Sequence, residues 1–220
     1  VVGFVVGTRP DCISPAVLKL WQEYHEKSFV AVELGVQSFF DDQLEFLKRG
    51  HTAQDSRKAI IKIASETSVD LGIHLMFGLP HETLDQIRET AAIVNDLPIT
   101  NVKLHNLHVL KNTPLQRLYE SGSFKPIEFE EYADRVRLFL EYLRPGIAIQ
   151  RLSAFAPRWD ELVAPAWTGD KMRAHQGLVD HLRRYQSYQS RYYAPVSEQE
   201  ITQHQNLRMR SLPQVPELHL

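Results

Sequence analysis

The sequence predicts an α/β protein built on a parallel sheet, either open or curved into a barrel. Three observations carry that expectation. Short β-branched runs alternate along the chain with segments of helical periodicity. The runs "VVGFVVG" (1–7) and "FVAVELGVQ" (29–37) are nearly continuous in apolar residues, as in strands covered on both faces. Paired capping signals mark the starts of the intervening helices. In either arrangement a ligand site is expected beyond the carboxyl ends of the strands.

The elements follow in order. A strand opening at Val1 would leave a long hydrophobic sheet edge, so further structure is expected beside it and the sequence reads as part of a longer chain. Ser14-Pro15 supplies an N-cap and a first-turn proline, and Val17, Leu20, Trp21 and Tyr24 follow at helical spacing. After the second strand, 29–37, a short helix is expected at about 41–48. Thr52 with Asp55 then opens a helix reaching about Ser65, with Ile60, Ile63 and Ala64 inward. The third strand, "VDLGIHLMF" (69–77), ends in Gly78-Leu79-Pro80. Thr83 and Gln86 cap the next helix, whose stripe is Leu84, Ile87, Ala91 and Val94.

"NVKLHNLHVL" (101–110) is the expected fourth strand, followed by helices near 115–121 and 128–143, the second marked by Tyr132, Val136, Phe139 and Leu143. "GIAIQRL" (146–152) gives a fifth strand, and about 170–187 a last helix. The barrel portion is assigned to 1–152 and a helical extension to 153–188. Residues 189–220, rich in Gln, Ser, Arg and Pro, are expected to form either an extension or a tail that is only partly ordered.

Composition narrows the function classes. At 220 residues, 43% hydrophobic and 24% charged, the chain matches an ordinary soluble globular protein. A net charge of -2 gives no footprint for nucleic acid or an anionic membrane. Support for a nucleic-acid partner is confined to the Tyr- and Arg-rich stretch 183–193, which suits helix-end packing better. No apolar run approaches the roughly 20 residues of a spanning helix. The single cysteine, Cys12, fits a reducing cytoplasm and excludes an all-cysteine iron–sulfur site built from this chain alone.

The polar residues at the strand ends are out of place for a core. By alternation Glu33, Gly35 and Gln37 share one face of the second strand, and Gly72, His74, Met76 and Gly78 one face of the third. In the fourth strand Asn106 and His108 share a face, while Lys103 and His105 share the other. A ring of Glu33, Gln37, His74, Asn106 and His108 is therefore expected, suited to ribose hydroxyls, an amino-acid head group or a substrate. Taken singly, each has a plainer role: glycines mark bulges, an inward histidine is more often a satisfied core residue, and Thr8-Arg9-Pro10-Asp11 is a turn closed by proline. The spacing of His74, His105 and His108 fits no standard zinc pattern.

Five motifs fall in order, each at a strand end or just past one: "GTRPD" (7–11), "VELGVQS" (32–38), "LKRGHT" (47–52), "HLMFGLPHET" (74–83) and "KLHNLHVLKNTPL" (103–115). Together they resemble the radical S-adenosylmethionine (SAM) superfamily. The likeness is to the branch of the Elongator catalytic subunit, the oxygen-independent coproporphyrinogen oxidases and a group of uncharacterised bacterial Fe–S oxidoreductases. With the last group it extends to "IQRLSAFAPR" (149–158) and "LVAPAW" (162–167).

The resemblance implies a partial (βα) barrel of the radical SAM type that lacks the first βα units. It implies that Gln37 bonds the ribose of SAM, with Ser38 and Glu33 supporting that strand end, and that Arg49 meets the SAM carboxylate. Gly78, Leu79 and Pro80 would lie against the adenine, and the strand carrying His105 would complete that pocket. His74 stands near the ribose where some relatives have an acidic residue. Thr8 and Arg9 would sit at the cofactor or substrate mouth. In the family a CxxxCxxC triad holds a [4Fe–4S] cluster, a donor such as flavodoxin or ferredoxin supplies an electron, and SAM is cleaved to a 5'-deoxyadenosyl radical. Cys12 cannot be that triad, so the cluster ligands are expected upstream of Val1 and this chain alone is expected to be inactive. Two rival readings stand beside it: a barrel lyase using His74, His108 and Glu33 as acid and base, and a non-catalytic module keeping the SAM pocket or its shape.

Overall fold

The computed structural model describes residues 2–156 and 159–193. The elements are β1 (Gly3–Thr8), α1 (Pro15–His25), β2 (Phe29–Gln37), α2 (Asp41–Phe46), α3 (Ala53–Glu66), β3 (Asp70–Phe77) and α4 (Leu84–Asn95). They continue with β4 (Asn101–Asn106), β5 (Val109–Leu110), α5 (Pro114–Glu120), α6 (Phe129–Tyr142), β6 (Ala148–Arg151), β7 (Leu162–Ala164) and α7 (Lys171–Arg184). Five strands form one sheet in the order β1-β2-β3-β4-β6, every pair parallel. Chain order matches spatial order because each strand returns through helices to lie beside its predecessor. The result is a partial (βα) barrel of parallel strands with outer helices.

Helix starts follow the local chemistry. The Ser14 hydroxyl accepts from the Val17 N–H at 3.3 Å. Complete capping boxes form between Thr52 and Asp55 and between Thr83 and Gln86, each satisfying two otherwise unpaired N–H groups. Val30, Val32, Leu34 and Val36 from β2, Ile73, Leu75 and Phe77 from β3, and Val102 and Leu104 from β4 pack against the helices. Ile60 and Ile63 of α3, Ile87 and Val94 of α4, and Val136 and Phe139 of α6 meet them there. Each such side chain contributes about 1.5–3 kcal/mol on burial, which fixes the face of every central strand.

Two expectations are corrected. The stretch 101–110 is two strands, and β5 leaves the main sheet to pair antiparallel with β7, an element the periodicity did not announce. The fifth strand is only Ala148–Arg151 and the last helix ends at Arg184. Residues 189–193 pack against α6: the Ser190 N–H donates to the Leu140 carbonyl at 2.9 Å and the Tyr192 N–H to that of Glu141 at 2.8 Å. The rest of the expected tail, 194–220, and Pro157 and Arg158 of the "IQRLSAFAPR" stretch lie outside the described residues.

Candidate functional site

With the apolar faces of β2, β3 and β4 turned to the helices, the opposite face of the sheet carries Glu33, His74, Lys103 and His105. Arg151, paired in register with Lys103, joins them from β6. Lys103 Nζ donates to Glu33 Oε1, and His74 Nε2 lies 2.9 Å from Oε2. The His74 ring stacks on His105, centroids 4.9 Å apart and 28° from parallel. On the far side of His105, Arg151 Nη2 reaches the ring nitrogens, 3.2 Å from Nδ1 and closer still to Nε2. One polar chain thus crosses four strands.

Its electrostatics follow from burial and neighbours. Burial works against the Glu33 carboxylate, but the hydrogen bonds from Lys103 and His74 outweigh it and leave the pKa below the ordinary value. Burial lowers the pKa of His74 against the pull of Glu33. Burial, then the Arg151 guanidinium, brings His105 down to about 3, so this ring stays neutral. Arg151 itself is lowered by burial.

The expected ring of Glu33, Gln37, His74, Asn106 and His108 is therefore wrong in Asn106, which shares the face of Val102 and Leu104, while His108, past the end of β4, stays near His105 and Arg151. Val102 and Leu104 face the helices, so Lys103 and His105 take the polar face. Asn106, buried, accepts from the Ala154 N–H at 2.9 Å and pairs with His108 Nε2 at 2.9 Å. His108 makes no hydrogen bond to Glu33 or His74 among the described residues; burial and, less strongly, the nearby Arg151 lower its pKa. Lys103 and Arg151 are the members of the polar face that sequence reasoning missed. The alternation of Val102 and Leu104 with Lys103 and His105 held the signal for the first; nothing local marks the second.

At the strand ends a second group forms the mouth. β2 shifts register between Leu34 and Gln37, and Gln37 takes φ 68°. This bends its side chain back over the polar face, where Nε2 stands 3.0 Å from the position a Cβ on Gly35 would occupy. Arg49 Nη2 lies 2.9 Å from that same position and donates to the Gly35 carbonyl at 2.9 Å. The Thr8 carbonyl is 3.6 Å away. Arg49 Nε is buried without a partner, as are both ring nitrogens of His51. Burial, reinforced by Arg9, lowers the Arg49 pKa. Arg9 is tied to Asp11 at 2.5 Å.

The remaining expected site residues sit around this mouth in different roles. Ser38 is buried with its hydroxyl donating to Gln43 Oε1 at 2.6 Å and accepting from the Phe40 N–H at 3.0 Å, which fixes the entry to α2. Gly78 has φ +86°, and a Cβ there would stand 2.5 Å from Ile127 Cγ2, so only glycine fits. Its N–H donates to Glu82 Oε2 at 2.8 Å, and Arg135 Nε donates to the same oxygen at 2.8 Å. Burial pushes the Glu82 carboxyl up to about 7 against those two donors. Leu79 is buried and Pro80 half-buried in the turn so held. Among the described residues no three His, Cys, Asp or Glu are placed to hold a metal ion, and Cys12 is exposed. No helix among them is long and apolar enough to cross a membrane.

Comparison with known proteins follows the same outline. The model of the radical SAM superfamily matches residues 1–94, and that of the Radical_SAM C-terminal domain matches 99–184. An uncharacterised protein of Methanocaldococcus jannaschii is 38% identical over 185 residues, 84% of this chain and 57% of its own length. Protein YhcC of Escherichia coli is 34% identical over 193 residues, 84% of this chain and 58% of its own. The chain thus spans less than two thirds of these relatives. The solved structure of archaeal Elp3 from Methanocaldococcus infernus superposes with a TM-score of 0.67 at 24% identity, covering 86% of this chain and 43% of that one. The two family models together match most of the chain, and the fold is the parallel partial barrel with outer helices: the chain belongs to the radical SAM superfamily.

Proposed function

We propose that the strand mouth binds S-adenosylmethionine, with Arg49 meeting its carboxylate, Gln37 its ribose, and the Gly78-Leu79-Pro80 turn and the β4 strand at His105 its adenine. Thr8 borders the mouth, and Glu33 and His74 form its floor. Ser38 supports it from behind by fixing the entry to α2. The observation that carries this reading is Arg49: a partly buried guanidinium held over a glycine, with Nε lacking any acceptor. Such a group suits a carboxylate, which it can engage through two parallel hydrogen bonds. A [4Fe–4S] cluster held by cysteines outside these residues would supply the electron chemistry of the radical SAM family, while Arg49 and Gln37 would hold the SAM carboxylate and ribose. The chain's own residues bind and orient the cofactor and shield it from water.

The cluster does not fit the residues present, because one exposed cysteine cannot supply three thiolates. In this proposal its ligands lie outside these 220 residues, and an electron donor of the flavodoxin or ferredoxin kind serves the whole protein. Equilibrium dialysis with SAM on the full-length natural protein tests the reading. Gln37→Ala and Arg49→Ala are each expected to weaken binding about tenfold or more with thermal unfolding little changed. Unaltered affinity in both variants overturns it.

A further inference from the structure

Beside the polar face, along the outer edge of β6, lies a cavity of ≈ 740 Å³. Its walls come from β6 and the residues after it, from the first turns of α7, and from Gln189 and Leu140. The size falls in the range that encloses a small organic molecule. The charge is one-sided. Arg151, Lys171 and His175 line it, and no Asp or Glu does. Lys171 also opens a helix of 14 residues, whose N-terminus adds positive potential, although Asp170 caps it from outside the cavity lining.

Arg151 is the central group. Among the described residues it has no ion-pair partner; Nη2 is engaged by His105 alone, and Nε is buried with no acceptor. The nearest carboxylate on the polar face, Glu33, is already held on both oxygens by Lys103 and His74. Glu33 acts on Arg151 only at a distance, so the half-buried guanidinium has no direct anionic contact among the described residues, which is costly unless something else supplies the charge. Around it the lining turns apolar, with Leu152, Phe155 and Met172, and Met172 stands 76% exposed.

We propose that this cavity binds an organic anion with an apolar body, its carboxylate or phosphate on Arg151 and Lys171, and that this ligand is the substrate. The binding stands independently, and the substrate role rests on the SAM reading above. Through His105 and His74 the anionic head would lie next to the cofactor site, while the apolar body extends toward Phe155 and Met172.

Phenylphosphate, with benzyl alcohol as its uncharged counterpart, tests the binding by calorimetry at low salt on the full-length protein. Phenylphosphate is expected to bind and benzyl alcohol to give no measurable heat. Arg151→Gln is expected to weaken phenylphosphate at least tenfold, and Lys171→Gln about threefold, from the loss of charge-assisted contacts. Lys171 is exposed, so its variant keeps the test valid if Arg151→Gln fails to fold. No binding of phenylphosphate, equal binding of benzyl alcohol, or unchanged affinity in the Lys171 variant overturns the proposal. A parallel SAM titration of wild type and Lys171→Gln separates the two readings. SAM binding kept in both proteins, with phenylphosphate weakened in the variant, supports both; absence of SAM binding in wild type removes the substrate role and leaves the anion site standing.

Discussion

The rings of His74 and His105 lie face to face, 4.9 Å between centroids, with Glu33 bound to the first and Arg151 to the second. The arrangement holds because His105 is uncharged. A protonated ring there would face a guanidinium within hydrogen-bonding distance and would lose the acceptor nitrogen that Arg151 uses. Neutral imidazoles also stack without like-charge repulsion. The polar floor beneath the strand mouth is therefore an ordered row, a Lys103–Glu33 ion pair and the Arg151 guanidinium at either end of two stacked imidazoles, and it depends on pH.

The acid limb follows from His105. Its folded-state pKa is about 3, against about 6.5 unfolded. Between those values the unfolded chain takes up a proton that the folded chain refuses. The stabilisation is full above about pH 6.5 and is lost as pH falls towards 3. His105→Gln keeps an acceptor for Arg151 and is expected to lose less stability on acidification than wild type. Urea unfolding at several pH values between 7.5 and 4 checks this, and parallel pH profiles would count against it.

Glu82 acts in the opposite sense. Its carboxyl is raised to about 7 in the fold, so the folded chain keeps a proton that the unfolded one releases from about pH 4.5 upward. Its contribution is full below that value and is lost as pH rises through 7, by at most about 3 kcal/mol. The two effects oppose each other between pH 4.5 and 6.5, and wild type is expected to show a shallow profile there. Glu82→Gln should uncover the rising limb of His105, and His105→Gln the falling limb of Glu82. Two variants with slopes of the same sign would contradict the assignment.

Lys103 and Glu33 form the pair that anchors the floor, their side chains 25% and 10% exposed. Lys103→Met leaves Oε1 of Glu33 without its donor and is expected to cost roughly 1–3 kcal/mol. Adding Glu33→Gln removes the stranded charge and should recover part of that loss. A double-mutant cycle by chemical denaturation measures the coupling; additive losses would mean the pair is not coupled in solution.

What the sequence made legible was local. The capping boxes at Thr52 and Thr83 each need only residues three apart, and both formed as expected. The faces of β2 and β3 were legible because Val30, Val32, Leu34 and Ile73, Leu75, Phe77 leave one phase for Glu33 and His74. The phase of β4 was misread because Asn106 and His108 offered a second polar set on a strand taken as continuous to residue 110. Two features were out of reach. The register shift between Val102 and Lys103, which brings Arg151 level with Lys103, depends on how β6 docks. The β5–β7 pairing joins segments of two and three residues, too short for any periodicity.

Gly35 separates fold from function most cleanly. A Cβ there would stand 2.9 Å from Arg49 Nη2 and 3.0 Å from Gln37 Nε2, both at the far ends of flexible side chains, and only 3.6 Å from the Thr8 carbonyl. Its φ carries no strain for a larger residue, since Gly35 is not among the positive-φ glycines. Gly35→Ala is therefore expected to fold, with a stability change within about 1 kcal/mol. Yet the methyl would displace both side chains proposed to hold SAM and occupy the ground between them. A shift of this kind in a preorganised site is expected to weaken SAM binding about tenfold or more. Thermal unfolding and SAM titration on the same preparation check the pair of statements. Retained affinity in a folded Gly35→Ala protein would place the SAM carboxylate and ribose away from Arg49 and Gln37. A variant that fails to fold would instead show that Gly35 is kept for packing.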